Sequence, residues 1–100
     1  MKTRITELTK RALCKWGEDI QFTIAMEEAA EFIQAISKYQ RYGDKYALAS
    51  EYADLTIMME QIRVILNDDE LLEKWLNYKC DKMDKILDSC DYGELPKKDC

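Results

Sequence analysis

Ile24-Ala25-Met26-Glu27-Glu28-Ala29-Ala30-Glu31-Phe32-Ile33-Gln34-Ala35-Ile36 sets three carboxylates inside an otherwise almost wholly apolar run. Read as a helix, the run places residues 28 and 31 on one face, and residues 27 and 31 as neighbours one turn apart. Glu51-Tyr52-Ala53-Asp54-Leu55 repeats the device, again with apolar residues around the acids. Two such helices side by side bring four negative charges together.

Glycines and the single proline punctuate the chain. Ile5, Leu8, Ala12 and Trp16 follow helical spacing, and Gly17 closes that first segment. Asp19 is placed to cap a second helix from about Ile20 to Tyr42, with Lys38 and Arg41 near its end and Gly43 after it. Asp44 is placed to cap a third, from about Lys45 to Leu66. Asn67 with Glu70 resembles a capping box opening a fourth, which runs to about Ser89. Gly93 and Pro96 fall in a polar tail, residues 91–100, expected to be partly disordered. The expectation is an all-α four-helix bundle in one domain over residues 1–90. In the third helix Leu48, Tyr52, Leu55, Met59, Ile62 and Leu66 form one apolar stripe, while Ala47, Ile57, Met58 and Ile65 lie off it. A helix apolar on two sides is expected to be covered on two sides, which points to a homo-oligomer.

Composition narrows the chemistry. The 100 residues include no histidine, so Ser-His-Asp and Cys-His catalysis, Cys₂His₂ zinc and Glu-x-x-His di-iron sites are excluded. The 20 acids against 15 Lys and Arg make general nucleic-acid binding a poor fit. Charges at Lys2, Arg4, Glu7, Lys10 and Arg11 leave no apolar leader, and no uncharged run is long enough for a membrane span, so a cytoplasmic protein without a membrane partner is expected. Cys14, Cys80, Cys90 and Cys100 lack zinc-ligand spacing and are expected to be reduced thiols, some of them buried as small hydrophobes.

Acid-x-x-acid spacing alone carries little weight. About four such pairs arise by chance at this acid content, and the sequence has six: 28/31, 51/54, 70/73, 81/84, 88/91 and 91/94. The last four fall in the charge-rich fourth helix and tail, where a solvated face explains them. The first two sit among apolar residues, where converging carboxylates repel and lose solvation unless a cation compensates. A hard divalent ion such as Mg²⁺ does so with oxygen ligands and keeps waters free for a phosphate-bearing substrate. Gln21, Glu28, Glu31 and Lys38 recur at steps of seven, three and seven and so line one side of the second helix. Trp75, Lys79, Lys82 and Ile86 share a face of the fourth. Together with Lys38 and Arg41, Lys79 and Lys82 supply the charge a polyphosphate needs, although any one such lysine alone is more often a solvated side chain.

Glu27-Glu28-Ala29-Ala30-Glu31, nineteen intervening residues and Glu51-Tyr52-Ala53-Asp54 resemble the signature of the MazG-like nucleoside triphosphate pyrophosphohydrolases. This is the all-α NTP pyrophosphatase group that also contains the dimeric dUTPases. The Trp16-Gly17 turn, Gln21, the run Ser37-Lys38-Tyr39-Gln40-Arg41 and the Lys79/Lys82 pair are similar to small single-domain members, so the likeness spans roughly residues 10–88. The sequence departs from the pattern at Ala29-Ala30, where many members carry an aliphatic residue and a glycine. The resemblance implies a MazG-like fold that forms a homodimer or homotetramer. It implies Mg²⁺, with Mn²⁺ as a substitute, held by Glu28, Glu31, Glu51 and Asp54. It implies hydrolysis of an NTP or dNTP to the monophosphate and pyrophosphate. Either Glu31 or Glu27 would activate the water, Lys38, Arg41, Lys79 and Lys82 would bind phosphate, and Gln21 and Trp16 would contact the substrate. A non-catalytic helical adaptor, or a nucleotide sensor of the same fold, is the alternative.

Overall fold

The computed structural model describes residues 2–89, with side chains from residue 3, and among them it contains four helices and no strand. They are α1 (Lys2–Trp16), α2 (Glu18–Tyr42), α3 (Lys45–Leu66) and α4 (Asp69–Ser89). The expected polar tail, with Cys90 and Cys100, lies outside the described residues. The chain divides into two compact units, Met1–Asn67 and Asp68–Cys100.

Residues with left-handed backbone set the breaks in the first unit. Gly17 has φ 86°, a conformation that side chains disfavour, and its N–H donates to the Leu13 carbonyl at 2.9 Å. The same residue ends α1 and borders α2. Helix α2 therefore starts at Glu18, two residues too early for Asp19 to cap it. Asp19 instead lies in the first turn, where its negative charge suits the helix dipole and its carbonyl accepts from the Thr23 hydroxyl at 3.1 Å. Gly43, with φ 70°, closes α2 by donating to the Tyr39 carbonyl at 2.8 Å. Asp44 then caps α3 as the sequence suggests, its Oδ1 accepting from the Ala47 N–H at 3.1 Å.

Asn67 does not open the fourth helix. It takes the left-handed conformation, φ 50° and ψ 40°, and closes α3 through its N–H to the Arg63 carbonyl. Asparagine tolerates that backbone better than most residues, so the cap of α4 passes to Asp68, whose Oδ1 accepts from the Leu71 N–H at 3.0 Å.

Within the first unit α2 and α3, joined by Gly43-Asp44, form the most extensive helix pair, and α1 packs on both. Among the described residues its buried side chains are few and half of them are polar: Ala25, Ala35 and Met58 with Thr9, Gln21 and Gln61. Met58, off the expected apolar stripe of α3, is the buried one, whereas Tyr52, Met59 and Leu66 on the stripe are more than half exposed. The inward face of α3 carries Glu51, Met58 and Gln61 as well, and a reading by hydrophobicity alone passes over its polar members.

The second unit's described helix, α4, is amphipathic and none of its residues is buried. Trp75 and Tyr78 meet edge to face at 5.6 Å between ring centroids. The Lys79 ammonium lies over both rings, 5.7 and 6.0 Å from their centres. Cys14 and Cys80 are free thiols, and both are exposed rather than buried. No described helix is long and apolar enough to cross a membrane.

Candidate metal centre

The acids singled out in the two apolar stretches meet across the α2–α3 pair. Glu28 from α2 and Glu51 and Asp54 from α3 each offer a carboxylate oxygen, and these oxygens lie within 4.8 Å of one another. Glu28 and Glu51 are half-buried and Asp54 is exposed. Oε2 of Glu28 and Oε2 of Glu51 are buried and have no hydrogen-bond partner. Leaving a carboxylate oxygen without water or a donor is costly, and a cation placed among these oxygens would offset that cost.

The electrostatics agree. The Glu28 carboxyl is held above the usual carboxylate range, first by loss of solvation, then by the charges of Asp54, Glu31 and Glu51. Glu51 is raised too, first by loss of solvation, then by Glu31 and Asp54, and by hydrogen bonding with Glu31; Lys38 opposes this. Glu31 therefore acts on both acids, although it stands outside the tight trio. Lys38 is close enough for its charge to be felt at Glu51.

The trio offers three oxygen donors that could hold a metal ion. Mg²⁺ with bonds of about 2.0–2.1 Å sets adjacent ligands roughly 3 Å apart and opposite ones roughly 4 Å apart, so oxygens up to 4.8 Å apart would draw in by as much as about 2 Å to share one ion. Three carboxylates are also few enough to leave coordination positions for water and phosphate oxygens.

Comparison of the chain with family models, curated proteins and solved structures finds no match.

The remaining candidate residues are placed unevenly. Glu27 is exposed on α2 beside the trio in sequence but outside it in space, and Arg41 is exposed in the last turn of α2. Lys79 and Lys82 belong to α4, in the second unit, where Lys79 rests on Trp75 and Tyr78. Gln21 is 2% exposed, and its Nε2 has no partner. Trp16 is half-exposed and lines a cavity of about 590 Å³ between α1 and α3.

Two further groups of side chains escaped the sequence reading. Thr9 and Gln61 are buried in the wall of that cavity, and the only sequence trace of Gln61 is its place seven residues beyond Asp54, on the same face. Glu60 accepts from Arg63 Nε and Nη2, both at 2.7 Å, and from the Thr6 hydroxyl. Its i, i+3 spacing to Arg63 is the usual signature of a helical ion pair; the reach to Thr6 is a tertiary contact and left no trace.

Proposed function

We propose that the chain is a Mg²⁺-dependent nucleoside triphosphate pyrophosphohydrolase of the MazG-like kind, working in the cytoplasm as a homo-oligomer. The observation that carries the reading is the convergence of Glu28, Glu51 and Asp54, with two carboxylate oxygens buried and unpartnered. Glu28, Glu51 and Asp54 hold the cation, and Glu31 completes the set from beside it. When bound, Mg²⁺ or Mn²⁺ offsets the charge of the triphosphate and acidifies water.

The reaction is displacement at the α-phosphorus. A water oxygen bonds to that phosphorus, the bond to the bridging oxygen of the β-phosphate breaks, and pyrophosphate leaves. Glu31 or Glu27 takes the water's proton, a task suited to a carboxylate within hydrogen-bond reach. Lys38 stands on the side of Glu51 and stabilises charge on the phosphate oxygens. Arg41 serves the outer phosphates, and Trp16 and Gln21 serve the nucleoside.

The homo-oligomer rests on a separate observation. Met26 and Ile33 on α2 are each 67% exposed and Met59 on α3 is 58% exposed. Phe22, Met26, Leu55 and Met59 help line an apolar groove of about 430 Å³ between the two helices. An apolar surface of that kind is commonly covered by another chain, and a second copy meets the need.

The test is a turnover screen with NTPs and dNTPs in Mg²⁺ or Mn²⁺, reading pyrophosphate. Release from at least one of them, abolished in Glu28→Gln, is expected. No release from any nucleotide contradicts the hydrolase and favours a non-catalytic helical module. A monomeric mass by light scattering at micromolar concentration contradicts the oligomer alone.

A further inference from the structure

The cavity between α1 and α3 is a feature of the first unit that the acids do not account for. Its volume of about 590 Å³ is in the range that holds a small organic molecule. Leu8, Ala12 and Trp16 of α1 and Ile57 of α3 give it apolar walls. Leu8 is 47% exposed, Trp16 52% and Ile57 41%, so a molecule entering the cavity touches them directly.

Charge narrows what that molecule is. Arg11 and Lys15 border the cavity, both are exposed, and no acid is among the described residues that line it. Among the described residues neither cation forms an ion pair. The bias belongs to the whole helix. Between residues 3 and 16 the sequence sets Arg4, Lys10, Arg11 and Lys15 against Glu7 alone, in a chain where acids outnumber Lys and Arg by 20 to 15. Lys15 is held at the aromatic wall, its ammonium 5.6 Å from the centre of the Trp16 ring. A flat body resting on Trp16 therefore has a cation beside it, within reach of an anionic substituent. A nucleotide held at the acids by its phosphates does not meet this need. The base it presents is neutral and leaves both cations unanswered.

We propose that the cavity binds a small aromatic anion, with a flat apolar body against Trp16, Leu8 and Ile57 and one acidic group facing Arg11 and Lys15. The inference does not rest on the hydrolase reading, and the two share only Trp16.

Cys14, an exposed thiol that also lines the cavity, is the reporter, and Cys80 of the second unit is the internal control. The full chain is alkylated with iodoacetamide, and the labelling rate at each cysteine is read by peptide mass. Three probes are compared. They are 8-anilinonaphthalene-1-sulfonate, N-phenyl-1-naphthylamine, which has the same rings without the sulfonate, and octanesulfonate, which has the sulfonate without the rings. The anilinonaphthalene sulfonate is expected to slow labelling of Cys14 saturably, by at least fivefold, and to leave Cys80 unchanged. Its half-protecting concentration is at least tenfold below that of either partial probe. Arg11→Gln combined with Lys15→Gln raises that concentration at least tenfold and moves the value for the neutral amine less than threefold. Both side chains are exposed, so helical circular dichroism is unchanged.

No protection of Cys14, equal protection of Cys14 and Cys80, or a partial probe as potent as the whole one overturns the inference. So does an affinity for the anilinonaphthalene sulfonate that survives the double substitution. A non-hydrolysable NTP analogue with Mg²⁺ is the last arm, and it is expected to leave Cys14 open to labelling. If the analogue protects Cys14, the cavity belongs to the nucleotide, and this inference fails while the hydrolase stands. Protection by the anilinonaphthalene sulfonate in a protein that releases no pyrophosphate defeats the hydrolase and leaves the aromatic-anion site.

Discussion

Glu60 and the pair Glu51 and Asp54 lie within three turns of one another on α3, yet their charges are met in opposite ways. Glu60 is answered from within the chain: Arg63 grips both of its oxygens at 2.7 Å, and Thr6 of α1 adds a hydroxyl. Glu51 and Asp54 face Glu28, a third acid, and buried oxygens of Glu28 and Glu51 receive no donor. A carboxylate that serves packing is neutralised by a neighbour that folds with it. In the cluster Glu28 and Glu51 keep raised proton affinity and buried oxygens that no donor meets. That contrast, more than the acidic spacing itself, separates a site from a surface.

Neutralising the cluster breaks the contrast most forcefully. Asp54→Asn or Glu28→Gln is expected to lower Mg²⁺-dependent pyrophosphate release by at least about a hundredfold, with helical circular dichroism unchanged. Glu60→Gln leaves turnover within a few-fold of the parent. Comparable losses in all three variants would erase the distinction between the two regions.

The next effect is on stability and runs the other way. Arg63→Met strands Glu60, whose side chain is 11% exposed, and is expected to cost about 1–2 kcal/mol in urea unfolding. Lys38→Met, which removes an exposed cation near the cluster, costs no more than a few tenths of a kcal/mol.

Proton linkage sharpens the comparison further. In the metal-free protein Glu28 and Glu51 bind protons more readily folded than unfolded, because both carboxyls are raised. Their contribution is therefore fully present below the ordinary carboxylate pKa and is lost as pH rises through the higher folded values. Thermal scans at neutral pH are expected to show Glu28→Gln melting a few degrees above the parent. Its melting temperature also gains less than the parent's on acidification toward pH 4–5, roughly the ordinary carboxylate range. Saturating Mg²⁺ stabilises the parent by mass action, about 2.7 kcal/mol at a hundred times Kd, and has a much smaller effect on the variant.

The smallest effect belongs to neither region. Asp44→Ala removes the cap of α3 and costs about 0.5–1 kcal/mol, with metal binding intact by calorimetry. It sets the scale for an ordinary helix-end substitution.

Much of the helical layout was legible because its boundaries depend on local backbone chemistry. Gly17 and Gly43 end helices through left-handed conformations, and Asp44 caps through a side chain three residues from its donor. Where two local signals compete, the sequence does not settle the boundary. Asn67 can cap a following helix or close a preceding one, and it closes α3; Asp19 can cap a helix, but Gly17 has already started it. The acid trio was legible because carboxylates in apolar runs are rare enough to stand out. The burial of Thr9, Gln21, Met58 and Gln61 was not. It depends on which face of each helix meets its neighbour, and polar residues on an inward face are invisible to a hydrophobic stripe.

The proposed hydrolase requires the trio to take a divalent cation. Calorimetric titration of the full chain with Mg²⁺, in the presence of a non-hydrolysable NTP analogue, tests it most directly. Saturable binding is predicted for the parent and for Glu60→Gln, and its loss is predicted for Asp54→Asn. No binding in the parent, or equal binding in the parent and Asp54→Asn, would contradict it.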